Sequence, residues 1–211
     1  FLGDGGTTAG IDQGDTVSNE AELARVHGAG YVTAIEAGVE IVMASFNSWH
    51  GKKLHGHRYL LTDVLKDHWG FDGFVVGDWN GHGQVAGCSP VECPSAIMAG
   101  LDMFMAPDSW RDLFHNTLRN VRNGEISEDR LNDAVRRILR VKIRAGLFDK
   151  PKPSARKFAG DFDLLGGPEH RAVAREAVRK SLVLLKNESD VLPISSDSTV
   201  LITGSAAHEM T

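Results

Sequence analysis

The sequence predicts an α/β fold built on a parallel sheet. Two observations carry this. Short apolar, β-branched runs alternate with longer amphipathic helical stretches, and Gly or Pro punctuates both. Such alternation gives βα units, in which crossover helices return the chain so that the strands run parallel. A change of character after residue 147 then predicts a second α/β domain.

The elements follow in order. Residues 39–46, with Ile41, Val42 and Met43 at their centre, read as a buried strand. Residues 58–69 read as a helix with Leu60, Leu61, Val64 and Leu65 on one face and Gly70 as its stop. Gly73-Phe74-Val75-Val76-Gly77-Asp78-Trp79 is a second buried strand, 92–98 a short helix ending near Gly100, and 101–105 a third strand stopped by Pro107. Residues 109–123 carry Trp110, Leu113, Phe114, Leu118 and Val121 at helical spacing. Ser127 caps a further helix with the apolar stripe Leu131, Val135, Ile138, Leu139 and Ile143, ending near Gly146. Residues 1–147 therefore form one domain. Residues 148–167, with Pro151 and Pro153 among lysines, read as a linker. Residues 168–211 open the second domain, with a helix over 169–180 and strands at 181–187 and 199–203. One helix and two strands do not bury a core alone.

Composition limits the function classes. Of 211 residues, 42% are apolar and 24% charged, which suits a packed globular core. A net charge of −5 argues against a nucleic-acid partner or a polybasic membrane anchor. No apolar run is long enough to span a bilayer, so no membrane partner is expected. The chain opens at Phe1 without an initiator Met or a signal-peptide pattern and reads as the interior of a longer polypeptide.

Four features could carry chemistry, and a fifth, a cysteine pair, could fix the shape of a loop. Asp78 and Trp79 follow Gly77 at the end of an apolar strand, and in a barrel of parallel strands such ends build the active site. A carboxylate there can attack an anomeric carbon while an indole packs on a sugar ring; the alternative is a turn cap beside ordinary packing. Gly3-Asp4-Gly5-Gly6 lacks the phosphate-loop lysine and spacing and reads as a flexible loop. His50, His55, His57, His68 and His82 cluster in sequence without a zinc motif and read as hydrogen-bonded structural residues. Asp102, inside an apolar strand, must be hydrogen-bonded or paired, in a structural or a catalytic role. Cys88 and Cys93 are either two free thiols or a local disulfide, the latter requiring an oxidising compartment.

Taken together, these segments resemble glycoside hydrolase family 3, the β-glucosidase and exo-β-glucanase family. Phe1-Leu2-Gly3-Asp4-Gly5-Gly6 is similar to the tail of a family segment in which a Lys-His pair precedes the Phe. Residues 42–51, 60–65, 69–79 and 99–103 follow in family order, and Val183-Leu184-Leu185-Lys186-Asn187 with Leu192-Pro193 resembles the start of its second domain. The resemblance implies the C-terminal part of a (β/α)8 TIM-like barrel followed by the start of an α/β sandwich domain. It implies Asp78 as nucleophile of a retaining mechanism, with Trp79, Phe46 and Asp4 as substrate-binding residues. The substrate is then a terminal β-D-glucosyl residue of a β-glucan or cello- or laminari-oligosaccharide, in a periplasmic or secreted setting. No cofactor and no metal are implied, and the remaining segments of the same enzyme are expected partners.

The sequence also departs from the family. Phe46 stands where many members have Tyr, Gly77 where Ser is frequent, and His50 where Asn is frequent. The acid/base Glu of β-glucosidase members lies on the second domain and matches no residue here. The N-acetylglucosaminidase branch carries a His after the Gly-rich segment, but 7–19 has none, which favours the β-glucosidase branch. Competing readings are an inactive glycan-binding member, another β-glycosidase of the family, and a barrel enzyme binding phosphate at the Gly-rich loop.

Overall fold

The computed structural model describes residues 1–207. The chain divides into two compact units, Phe1–Lys150 and Pro151–Thr211.

The first unit carries two three-stranded sheets. Strand β1 (Asp15–Thr16) leads to helix α1, residues 20–36. This helix is unforeseen, although Asn19 Oδ1 accepts the Glu22 N–H at 2.9 Å above an acidic first turn, an ordinary start signal. Strand β2 (Ile41–Met43) follows, then the hairpin strands β3 (Ser48–Trp49) and β4 (Lys52–Lys53). β1 pairs in parallel with β3, and β3 antiparallel with β4. Helix α2 (Tyr59–His68), wound with the wider π-type turn, occupies the stretch expected to be helical and buries Leu60, Leu61 and Leu65.

The second sheet is fully parallel, in the order β2, β5 (Phe74–Trp79), β6 (Met103–Met105). Its outer strands are shorter than expected, because only these residues find ladder partners: Ile41 to Met43 oppose Phe74 to Val76. Between β5 and β6 the short helix α3 (Pro94–Ala99) starts on Pro94 and stops at Gly100, whose φ of 119° only glycine adopts without strain. Leu54, Leu60, Leu61, Leu65, Phe71, Val75, Ala96 and Leu101 pack the space beneath this sheet with almost no solvent contact.

Helices α4 (Trp110–Arg122) and α5 (Glu128–Arg144) form where expected, and Ser127 Oγ accepts the Arg130 N–H at 3.3 Å. The faces they bury differ from expectation. On α4 only Leu113 and Asn120 are buried, while Trp110 and Phe114 are exposed. On α5 the buried residues are Ala134 and Val141, whereas Val135, Leu139 and Ile143 of the expected stripe are exposed. Arginines on the same side as Ala134 dock α5. Arg130 donates to the carbonyls of Ile97 and Leu101 at 2.8 and 2.9 Å, and Arg137 to those of Phe71 and Gly73 at 2.9 and 3.0 Å. Guanidinium donors suit the carbonyls of loops that flank strands, and their methylene stems still cover apolar surface.

Asp102 is structural. Its carboxylate accepts from Lys66 Nζ, from the Val75 N–H at 2.8 Å and from Arg130 Nη2, joining α2, β5 and α5 at one point.

In the second unit, helix α6 (Pro168–Ser181) opens on Pro168. The strands expected at 181–187 and 199–203 do not form: among the described residues of this unit there is no strand. A strand exists only through inter-strand hydrogen bonds, and nothing described here pairs with these segments. Leu182, Val183, Leu184 and Leu185 are accordingly exposed.

Candidate active site

The site is organised by a defect in the parallel sheet. Val76 opposes Met103, but Trp79 opposes Met105, so three steps along β5 match two along β6. This is a β-bulge at Gly77 and Asp78. A bulge bends the strand, re-aims its side chains and leaves a backbone group without a ladder partner. Regular pairing resumes where the Asn80 N–H donates to Met105 O at 2.8 Å.

The imidazole of His55 takes up the freed donor: the Asp78 N–H donates to its Nε2 at 2.8 Å. Nε2 is thus the acceptor, which puts the ring proton on Nδ1. His55 lies in the short turn Leu54–Gly56 and is buried. Burial pulls its pKa down to about 4, a fall that the nearby Asp78 charge only partly offsets. The ring sits 6.0 Å from that of Phe46, centroid to centroid, and against Gly77 and Gly81. A Cβ on Gly81 would stand 2.3 Å from His55 Cε1, so only glycine fits there. Lys53 ties the hairpin to the site, with Nζ donating to the carbonyls of Gln13 and Phe46 at 2.9 Å each.

Asp78 is half-buried, at the C-terminal end of the central strand, and its Oδ1 accepts the Trp79 N–H at 2.6 Å. It borders a cleft of about 490 Å³ whose wall also includes His27, Tyr31, Met43 and Ser45. Trp79 is 59% exposed, with its indole free to meet a ligand. Asp4 is exposed on the turn Asp4–Gly6. That turn is fastened from below, Thr16 Oγ1 donating to Gly3 O at 2.7 Å and Asn47 Nδ2 to Leu2 O at 3.1 Å. The Gly-rich segment is therefore an anchored pair of short turns rather than a free loop, and no long helix starts from it.

Of the other four histidines of that cluster, three make a side-chain hydrogen bond and His68, against expectation, makes none among the described residues. His57 Nδ1 accepts the Leu60 N–H at 3.4 Å, and His50 Nε2 lies 2.8 Å from Ser18 O. His82 Nε2 lies 2.9 Å from Pro90 O, with its ring 4.6 Å from that of Phe104. His68 is exposed on α2. Among the described residues no three His, Cys, Asp or Glu side chains converge as metal ligands would.

Cys88 and Cys93 are joined by a disulfide across Cα atoms 4.8 Å apart. The loop it closes bears on the segment after Asp78: Pro90 O is met by His82 and by Ser109 Oγ at 2.9 Å, and the Pro90 ring packs on Gly83. Sequence reasoning singled out Asp78 and Trp79 but treated His55 and His82 as generic. Their partners, 23 and 8 residues away along the chain, are visible only once the strand and loops are folded.

Residues 1–141 match a family described as the glycosyl hydrolase family 3 N-terminal domain. The thermostable beta-glucosidase B of Acetivibrio thermocellus is 36% identical over 192 residues, which is 90% of this chain and 23% of that protein. The periplasmic beta-glucosidase of Salmonella typhimurium is 33% identical over 186 residues, covering 84% of this chain and 24% of that protein. Among solved structures, the exo-1,3/1,4-beta-glucanase ExoP of a Pseudoalteromonas species superposes with a TM-score of 0.84 at 57% identity, over 92% of this chain and 24% of that one. The chain thus spans about a quarter of the length of these relatives.

Proposed function

The chain belongs to glycosyl hydrolase family 3, and from that premise we propose that it carries the nucleophile of a retaining, exo-acting β-glucosidase, Asp78. The observation that carries this reading is the placement of one carboxylate at the C-terminal end of the central parallel strand, re-aimed by a bulge and followed by an exposed indole. In a parallel barrel the substrate meets the strands at that end.

In this reading the Asp78 carboxylate attacks the anomeric carbon of a terminal β-glucosyl unit. The bond from that carbon to the aglycone oxygen breaks, and the oxygen takes a proton from an acid group. A covalent glycosyl-enzyme results, which water hydrolyses with retention. The family's acid/base Glu is assigned to no residue of this chain. Trp79 packs on the sugar, Phe46 shapes the wall behind His55, and Asp4 contributes a hydroxyl contact from its anchored turn.

Residues 1–147 then belong to a TIM-like barrel and residues 168–211 to the opening of an α/β sandwich. Exposed apolar residues support both: Ile41 and Met43 on an outer strand of the sheet, and 182–185 after α6. Substrates are β-1,3- or β-1,4-linked gluco-oligosaccharides, in line with the names of the relatives. A periplasmic setting agrees with the disulfide and with one relative's name.

Covalent trapping tests the reading. The complete source enzyme is incubated with a 2-deoxy-2-fluoro-β-glucoside, digested and mapped by mass spectrometry. A glucosyl adduct on Asp78 is expected. Binding without an adduct or turnover would instead indicate an inactive glycan-binding member.

A further inference from the structure

We propose that His55 is a positioning residue for Asp78: its neutral imidazole accepts the main-chain N–H that the bulge sets free and thereby fixes the direction of the carboxylate. This rests on the reading of Asp78 as the nucleophile.

Three observations carry it. First, the hydrogen bond goes to the backbone of the residue concerned, not to a neighbour: Asp78 N to His55 Nε2 is 2.8 Å. The bond sits where β5 and β6 fall out of register, between the Val76–Met103 and Trp79–Met105 pairs. The χ1 axis of Asp78 therefore takes its bearing from His55. Second, the ring has nowhere else to go. It is 1% exposed, Gly81 admits no Cβ beside Cε1 and Nε2, and Gly77 closes another side. Third, the lone pair on Nε2 must stay free. An imidazolium would present a second donor to the Asp78 N–H and break the bond. The charged groups that act on the ring are Asp78, His82, Lys53 and the Phe1 ammonium, and burial outweighs the one carboxylate among them, keeping the ring neutral.

His55 touches the main chain of the reacting residue and no substrate atom, so its effect should fall on the rate of bond formation rather than on ground-state binding. Gln can put an acceptor oxygen near the position of Nε2, whereas Leu fills space without an acceptor. In the complete enzyme, His55→Leu should lower kcat and the 2-fluoroglucoside labelling rate on the order of 10- to 100-fold with KM changed less than about threefold. His55→Gln should recover most of that loss. An Asp78 adduct forming at the wild-type rate in folded His55→Leu would overturn the proposal, as would a folded His55→Gln no better than His55→Leu. An adduct on another residue of the wild type would instead overturn the functional reading beneath it. If neither variant folds, neutron diffraction on the wild type decides. A deuteron on Nδ1, with Nε2 bare and facing the Asp78 amide, supports the proposal, and a deuteron on Nε2 refutes it.

Discussion

Asp102 meets Lys66 through both carboxylate oxygens at 2.8 Å, with the two side chains 0% and 3% exposed. Arg130 Nη2 reaches the same carboxylate, so one buried anion holds two cations. Burial brings the Lys66 pKa down to about 8, against the pull of Asp102, and the ammonium remains protonated at neutral pH. Removing the anion leaves two buried cations and the Val75 N–H uncompensated. Asp102→Ala should therefore cost roughly 3–5 kcal/mol of stability, far more than an average substitution. Urea unfolding of the complete enzyme measures it, and a loss below about 1 kcal/mol would show that the network is dispensable.

Acid should weaken the fold through the same histidine that receives the Asp78 N–H. The His55 pKa lies near 4 in the folded chain, below its ordinary 6.5, chiefly because the ring is buried. Between these values the unfolded chain binds a proton that the folded chain refuses. Stability is thus complete above about pH 6.5 and declines as pH falls toward 4, by about 3 kcal/mol in all. His57 and His82, lowered mainly by burial, act in the same direction. Unfolding midpoints taken from pH 7 to pH 4 should show the decline, and His55→Gln should make it shallower. An equal slope in the variant would remove His55 from this account.

These relationships mark how far the sequence could be read. The runs at 73–79 and 101–105 were legible as strands because Phe74, Val75 and Leu101 combine apolar character with nearby Gly and Pro stops. Helix α5 was legible in its extent but not in its buried face. Periodicity points to Val135, Leu139 and Ile143, while docking is done by Arg130 and Arg137, whose value lies in carbonyls supplied by distant loops. Residues 181–187 look like a strand by composition, yet a strand is a property of two segments and this one has no described partner. At the site, Gly77 signals a break, but the bulge is a mismatch between strands and cannot be read from either alone.

Reducing the disulfide should act locally. A loop this short is worth about 2 kcal/mol of chain entropy at most, so the fold as a whole should survive. The consequence is in the segment after Asp78, because Pro90 O anchors His82 and the Pro90 ring packs on Gly83. Cys88→Ser with Cys93→Ser should speed amide hydrogen exchange over residues 80–93 and lower kcat several-fold, while α2 and β2 exchange as before. Unchanged exchange in 80–93 would mean that the proline contacts hold the loop without the crosslink.

The packing of Gly81 on His55 yields the most direct test of coupling between the loop and the nucleophile. The φ of Gly81 is not in the left-handed range, so alanine there meets no backbone penalty and in open space would be neutral or mildly stabilising. Here its Cβ would lie 2.3 Å from His55 Cε1 and 2.4 Å from Nε2. Either the loop or the imidazole must move, and moving the imidazole withdraws the acceptor from the Asp78 N–H. Gly81→Ala should cost about 1–3 kcal/mol of stability and at least roughly tenfold in kcat. Truncating His55 removes the clash, so Gly81→Ala should cost far less in a His55→Ala background. A double-mutant cycle on unfolding free energy and on labelling rate measures this. Additive effects would place the loss in the loop itself, whereas a coupling energy above about 1 kcal/mol would trace it through the ring to Asp78.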